Sequence, residues 1–482
     1  MAEETLKNKT ARGLFWGGIS SGIQQLLSLG FGIFLSRILS PSDYGIVGML
    51  AIFTGVGMTL QESGFIAALT NRKNITHDDY NAVFWFNVFV GVVLYVILFL
   101  GAPLIVSFFN EPRLLWVSRI VFLNFLFGSL GTVQFAYLFK NIMARERAKI
   151  DIYSLILSNS AALIMALNGM AYWGIAIQSV LYIGLGTFFR WYFSPWRPTF
   201  SFNIQPLKEM FPFSIKLLFT GLLGQVTANI FSLLLGKYYS VQQVGYFAQG
   251  NKWMNMGAGL ISGTLTGVAQ PIFVQAEIDK RQVAVFHKMI RFTALISFPV
   301  MFGLMLISRE LILITITEKW LASVAILQTL CVWGAFYPIC ELYKNVIVSC
   351  GKSNIYLNIN VVFGSMQLLL LVVMLPFGIS WMVISYVIAY FFYLFMWHYF
   401  ASQLIEIQLF SVLKDILPYL IITGFSLSGG YLVANFMENV CLRFLLKIFV
   451  SSILYVTIIW LSGSVIFKES ISFLLKKNNF IQ

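Results

Sequence analysis

Apolar runs of about 20 residues or more recur from one end of the chain to the other, separated by short polar breaks. Each run is long enough to cross a ~30 Å hydrocarbon core. The pattern predicts about fourteen membrane helices, over 14–36, 44–69, 80–108, 114–139, 151–169, 172–193, 213–236, 244–270, 290–308, 320–340, 355–375, 380–400, 415–436 and 445–467. Turn chemistry marks the breaks: Ser40-Pro41-Ser42-Asp43 after the first span, Asn110-Glu111-Pro112 after the third, Leu375-Pro376-Phe377-Gly378 after the eleventh. The run from Leu14 to Leu35 is too long for a signal-peptide core and lacks a small-residue cleavage site, so it reads as the first membrane helix. The expected fold class is an all-α polytopic membrane protein.

Residues 31–48 and 231–248 are one helix–turn–helix written twice. At a shift of 200, Gln25, Phe31, Leu35, Ser40 and Gly45 match Gln225, Phe231, Leu235, Ser240 and Gly245, and Arg37 meets Lys237. Downstream, Lys140-Asn141 matches Lys344-Asn345 and Gly174-Ile175 matches Gly378-Ile379. Such a repeat in an apolar chain is a transporter signature, because two similar bundles can rock around a shared central site. Six helices per copy is an even number, so the copies run in the same direction, related by a pseudo-twofold axis along the membrane normal with substrate between them. The expected organisation is an N-lobe over 1–193, a cytoplasmic linker over 194–212 holding Pro195, Pro198, Pro206 and Pro212, a C-lobe over 213–400, and two added helices with a cytoplasmic tail over 401–482.

Composition narrows the class. With 59% hydrophobic and 11% charged residues, and a mean hydropathy of +0.81, the chain is far from soluble domains, where roughly 25% of residues are charged. A net charge of +13 would suggest nucleic acid in a soluble protein; here it follows from orientation. Lys7, Arg72, Lys73, Lys140, Arg145, Arg147, Lys149, Arg190, Lys280, Arg281 and Lys477 all fall on one side of the predicted map. The other side holds few, among them Arg37, Arg113, Lys237 and Lys447. Because basic loops stay inside, both termini are expected in the cytoplasm. Cys331, Cys340, Cys350 and Cys441 lack metal-ligand spacing and read as small apolar residues. His77, His287 and His398 are dispersed, so no metal or other cofactor is expected. No phosphate-cradling glycine-lysine motif is present, which speaks against ATP hydrolysis.

The six-plus-six plan with two extra helices resembles the multidrug/oligosaccharidyl-lipid/polysaccharide exporter superfamily. The resemblance sharpens at Leu35-Ser-Arg-Ile-Leu-Ser-Pro-Ser-Asp-Tyr-Gly-Ile-Val-Gly-Met49, Leu60-Gln-Glu-Ser-Gly-Phe65 and Ala82-Val-Phe-Trp-Phe-Asn87. These segments look like its Wzx-type polysaccharide flippases, especially the colanic-acid and teichuronic-acid exporter branch. That resemblance implies carriage of undecaprenyl-diphosphate-linked oligosaccharide from the cytoplasmic to the periplasmic leaflet of the inner membrane. The drug-extruding branch is less similar: many members use an acidic residue in the first helix, and 14–36 has no Asp or Glu. The peptidoglycan-precursor flippases carry Arg and Asp in that helix, which this chain lacks.

A diphosphate and a hydrated sugar chain tolerate hydrocarbon poorly, so an internal path must supply cations and hydrogen-bonding groups. Gln249, Lys252, Asn255, Gly259 and Ser262 share one face of the eighth span. Lys252, eight residues past Val244, is expected roughly 12 Å below the external interface. A mid-membrane Lys costs ~2.5–3.5 kcal/mol unless it faces a partner or a wet cavity. The bland alternative is a Lys that snorkels outward. Lys216, Gln225 and Asn229 on the seventh span and Gln25 on the first are further path candidates; the amides serve equally well as interhelical contacts. Arg291 could join a diphosphate funnel, although ordinary positive-inside placement explains it too. Glu62, near Gly55, Gly57 and Gly64, is a candidate for coupling to a proton or sodium gradient, against a structural pairing role. The leading function is therefore flipping of a lipid-linked oligosaccharide, with no nucleic-acid partner and no enzymatic step. A small-molecule antiporter is the second class. A polytopic glycan-assembly enzyme is the third, disfavoured because no predicted external loop exceeds roughly a dozen residues.

Overall fold

The computed structural model describes residues 6–72, 74–201, 203–278 and 281–476; Lys73, Lys280 and Lys477 of the basic set lie outside them. The described residues are helical almost throughout, without a strand. In order the helices are α1 (Leu6–Ile38), α2 (Pro41–Met49), α3 (Ala51–Glu62), α4 (Phe65–Asn71), α5 (His77–Phe109), α6 (Leu114–Val121), α7 (Leu123–Lys140), α8 (Ala144–Leu167) and α9 (Tyr172–Phe193). They continue with α10 (Gln205–Tyr238), α11 (Val241–Ile278), α12 (Gln282–Ile316), α13 (Ala322–Ser349), α14 (Ser353–Met374), α15 (Ile379–Ile405), α16 (Leu409–Ala434), α17 (Val440–Leu461) and α18 (Val465–Lys476). Among the described residues, 13 helical spans are long and apolar enough to cross a membrane. The remaining predicted span, 244–270, lies inside α11, a continuous helix with a polar middle.

The breaks seen in the sequence are built capping motifs. Ser40 Oγ accepts the Asp43 amide at 3.3 Å while the Ser40 amide donates to the Asp43 carboxylate at 2.8 Å, and Pro41 opens α2. Thr76 and Asp79 repeat the arrangement ahead of α5. Each box satisfies two amides that a helix start leaves unpaired. Hydropathy alone misplaces two elements. The predicted span 44–69 is interrupted, because Ser63 and Gly64 both take left-handed backbone (φ 50° and 70°) and separate α3 from α4. The predicted span 445–467 ends at Leu461, and a turn at Gly463 (φ 70°) starts a separate α18.

The chain forms two compact units, Met1–Gly245 and Tyr246–Gln482. In the first, α8 packs along α1 and α9, and α7 lies against α5 and α9. Lys140, ending α7, donates to the carbonyls of Leu69, at 3.3 Å, Thr70, at 3.3 Å, and Arg72, and so closes the C-terminus of α4. In the second unit α12 contacts α13, α16 and α17, which ties the last two membrane helices to the rest. Lys447 of α17 crosses to α12, where it meets Glu310 Oε1 at 2.8 Å and the Leu306 carbonyl at 3.1 Å. Both side chains are buried, 6% and 3% exposed.

A buried pair is weak evidence of net stabilisation, but removing one member leaves a bare charge. Lys447→Met alone should destabilise the purified protein by about 3–5 kcal/mol. The double variant Lys447→Met/Glu310→Met should recover most of that loss. Thermal unfolding in detergent checks both, and a double variant no better than the single would contradict the assignment.

Candidate functional site

Glycines bring α3 and α10 into close contact. A Cβ on Gly55 would collide with the Gln225 amide oxygen; one on Gly221 would stand 2.8 Å from Thr59 Cγ2, and one on Gly64 2.6 Å from the Ser214 carbonyl. The interrupted helix therefore lies where α10 passes. Helix interruptions inside a membrane protein are tolerated where they face protein or a wet cavity. Glu62 is the last residue of α3. Its flanking residues Gln61 and Ser63 are buried, with Gln61 Nε2 donating to Thr132 Oγ1 of α7 at 2.9 Å. The Glu62 side chain is exposed although protein surrounds it on most sides. Its charged neighbour is Arg190 of α9.

The structure brings Gln225 and Asn229 together: Asn229 Nδ2 donates to the Gln225 carbonyl at 2.9 Å, and Gln225 packs on Gly55. Lys216, two turns earlier on α10, is exposed, and Gln25 is half-buried on α1. In the second unit, one face of α11 is committed to packing. A Cβ on Gly250 would press on Ile326 and Leu327 of α13, one on Gly257 on Met301 of α12, and Met254 lies against Gly334. Lys252, Asn255 and Gly259 are on another face. Asn255 and Gly259 are exposed, Lys252 is half-buried, and space is open around Gly259. Gln249, one turn before Lys252, is buried. Because α11 starts at Val241, Lys252 lies eleven residues into it, roughly 16 Å and deeper than hydropathy implied. Among the described residues no carboxylate comes within ion-pairing distance of Lys252.

Arg291 is placed differently. Its guanidinium meets Asp415 of α16 at 2.9 Å, and His287 holds the other carboxylate oxygen, so the three link α12 to α16.

Residue-by-residue reading missed the charges around Arg190. Its electrostatic neighbours are Asp151, Tyr182, Glu62 and Arg147. The signal was present: Arg147 and Asp151 sit four residues apart, one turn of helix, in an otherwise apolar run.

The repeat makes a contact of its own. A Cβ on Gly45 would collide with the Val241 carbonyl, and one on Gly245 with the Pro41 carbonyl. Residue i of one copy meets j of the other, and the reverse, as at a twofold interface. The turn before α6 carries Glu111 and Arg113, bonded at 2.8 Å; the guanidinium holds the Glu111 carboxyl below its ordinary range.

Comparison with known proteins supplies the context. The family model described as "Polysaccharide biosynthesis protein" matches residues 34–325. The teichuronic acid biosynthesis protein TuaB of Bacillus subtilis (strain 168) is 26% identical over 71% of this chain and 72% of its own length. The lipopolysaccharide biosynthesis protein WzxC of Escherichia coli (strain K12) is 23% identical over 74% and 73%. Among solved structures, the lipid II flippase MurJ in an inward closed conformation aligns with a TM-score of 0.77 at 14% identity, covering 94% of this chain and 99% of that one. An inward-facing multidrug resistance MATE family transporter gives 0.63 at 16%, covering 80% and 94%.

The reciprocal glycine contact has a thermodynamic signature. Gly45→Ala and Gly245→Ala should each destabilise by ~1–3 kcal/mol through overpacking. Since either one parts the same two backbones, the double variant should fall short of the sum by at least ~0.5 kcal/mol. Gly259→Ala, with open space around it, should be close to neutral. Strictly additive losses in thermal unfolding would show the two contacts to be independent.

Proposed function

This chain belongs to the polysaccharide biosynthesis protein family, and from that premise we propose that it carries a lipid-linked oligosaccharide from the cytoplasmic to the outer leaflet of the cytoplasmic (inner) membrane. The carrying observation is the polar face of α11, where Lys252 has no ion-pair partner among the described residues, Asn255 is exposed, and α12 and α13 pack on a different face. A cation kept in a membrane helix without a carboxylate needs an anion or water. A polyprenyl diphosphate bearing a sugar chain, undecaprenyl diphosphate by the sequence resemblance, supplies the anion. Gln249, Asn255, Gln225, Asn229, Gln25 and Lys216 are the polar groups we place along the sugar path, with Arg291 ranked last because Asp415 already holds it.

Turnover is alternating access by the repeat halves, 1–193 and 213–400. Basic loops set the direction: Lys140 and Arg145 face the cytoplasm with both termini, and the Ser40–Asp43 turn faces outward. The reciprocal contact of Gly45 and Gly245 then lies on the outer side, and parts when the path opens outward. No covalent bond is made or broken, so the protein acts as a carrier and not as an enzyme. Glu62 supplies coupling to a proton or sodium gradient: its carboxylate sits beside a helix interruption and within the field of Arg190.

If Lys252 meets the diphosphate or an acidic sugar, Lys252→Glu should lower export of surface polysaccharide at least tenfold, while Lys252→Arg keeps part of it. Normal export by the Glu variant at normal protein abundance removes Lys252 from the path.

Glu62→Gln fixes the neutral form and should arrest gradient-driven flipping in proteoliposomes without lowering abundance; Glu62→Asp keeps the titration and should retain some activity. A folded Gln variant that responds to imposed proton and sodium gradients as the wild type does would exclude coupling.

A further inference from the structure

Two arginines of the first unit lie outside ion-pair contact among the described residues, with Asp151 near enough to act on both. The guanidinium carbon of Arg147 lies 5.1 Å from the centre of the Phe135 ring and 4.8 Å from that of Phe139. That of Arg190 lies 5.3 Å from the same Phe135 ring. The two guanidiniums are thus no more than about 10 Å apart, one from the first turn of α8 and one from the last turn of α9. We propose that Arg147 and Arg190, both lodged against the Phe135 ring, form a clamp for a diphosphate group.

Placement is built into the helices. Thr187 Oγ1 donates to the Phe127 carbonyl at 2.8 Å and Trp191 Nε1 to the Leu130 carbonyl at 2.7 Å, which pins α9 along α7 on both sides of Arg190. Gly131 leaves room: a Cβ there would stand 3.3 Å from Arg190 Nη1. The Phe135 face attracts each guanidinium through its ring quadrupole and uses none of the N–H donors. No carboxylate forms an ion pair with either arginine among the described residues, and Arg147 Nε is buried without a hydrogen-bond partner. Asp151 acts on both arginines, and Glu62 on Arg190, only through space.

Positive-inside placement accounts for an arginine at a helix end that snorkels to water. It does not account for two half-buried guanidiniums converging on one ring, since like charges brought together raise each other's cost. An anion with two phosphates removes that cost, because each guanidinium presents a planar fork of donors suited to phosphate oxygens. The clamp sits at the end of the unit that carries Lys140 and Arg145, the side from which a cytoplasmic lipid diphosphate enters. In that respect it rests on the flippase reading.

The test uses the full chain in nanodiscs with farnesyl diphosphate as probe, against farnesyl monophosphate, farnesol and inorganic pyrophosphate. The wild type should prefer the diphosphate to farnesol at least tenfold, and pyrophosphate should compete. Arg147→Gln and Arg190→Gln should each lower diphosphate affinity about tenfold or more and flatten its salt dependence, with farnesol binding unchanged. Arg147→Lys and Arg190→Lys, which keep the charge and lose the fork, should narrow the gap between diphosphate and monophosphate; they carry the test should the Gln variants fail to fold. Wild-type diphosphate affinity in a folded double Gln variant overturns the clamp, as does competition by farnesol alone. Flipping of lipid-linked oligosaccharide in proteoliposomes is scored separately. Flipping by the wild type that persists undiminished in the double variant defeats the clamp and spares the flippase reading. Absent wild-type flipping with selective, arginine-dependent diphosphate binding does the reverse.

Discussion

Hydrocarbon solvates neither a charge nor an unpaired peptide group, and most features of this molecule are responses to that constraint. Helices satisfy the backbone. Charged side chains then sort into two sets. One set is neutralised inside the protein: Lys447 by Glu310, Lys344 by Glu341 at 2.8 Å, and Asp415 by Arg291 and His287. These links hold α17 to α12, stay within α13, and hold α16 to α12. Other charges, Lys252, Arg147, Arg190, Asp151 and Glu62 among them, lack an ion-pair partner among the described residues. Structural charges are expected to be paired because a bare charge is costly, and it is among the unpaired ones that we place substrate and coupling ions.

The repeat shows how one ancestral plan is used for two purposes. Lys140 and Lys344 occupy matching positions in sequence. Lys140 caps the carbonyls that end α4, where the interrupted second span leaves them unpaired. Lys344 has Glu341 beside it and the rings of Tyr337, Tyr393 and Trp397 within 6.0 Å. The glycines behave in the opposite way. Gly45 and Gly245 have kept the same task, because backbone-to-backbone approach admits no side chain on either copy. What the copies share is therefore the contact between them, and what they have lost in common is the chemistry around their matched lysines.

This division explains what was legible in the sequence. Hydropathy located the helices, and the Ser40-Pro41-Ser42-Asp43 turn announced its own cap. The interruption after Glu62 has its signal in the polar run Gln61-Glu62-Ser63-Gly64, but hydropathy averaged over the whole span hides it, and Ser63 is of a residue type that seldom takes a left-handed backbone. Gly45 and Gly245 were visible as repeated residues, but their mutual contact depends on how the copies meet. Lys252 stood out because it is far from any helix end. Arg147 and Arg190 did not, because an arginine within a turn or so of a basic loop has the same pattern whether it faces water or a partner ring.

Unpaired cations also bear on how tightly such a carrier should hold its cargo. Holding Arg147 and Arg190 outside ion-pair contact costs stability in the empty protein, and anion binding at the proposed clamp would return that free energy. Binding selective for the folded state stabilises by RT ln(1 + [L]/Kd), about 2.7 kcal/mol at a hundredfold excess over Kd. A fully paired site would gain less from the anion, since Asp151 or Glu62 would first have to be displaced. An entirely bare one would hold the diphosphate too long for release. Asp151 and Glu62, near enough to act on Arg190 yet outside ion-pair contact, set an intermediate condition. On the proposed coupling, protonation or ion binding at Glu62 would change the field at Arg190 without moving a helix. That would be a direct electrostatic route from a cation gradient to the proposed grip on an anionic lipid.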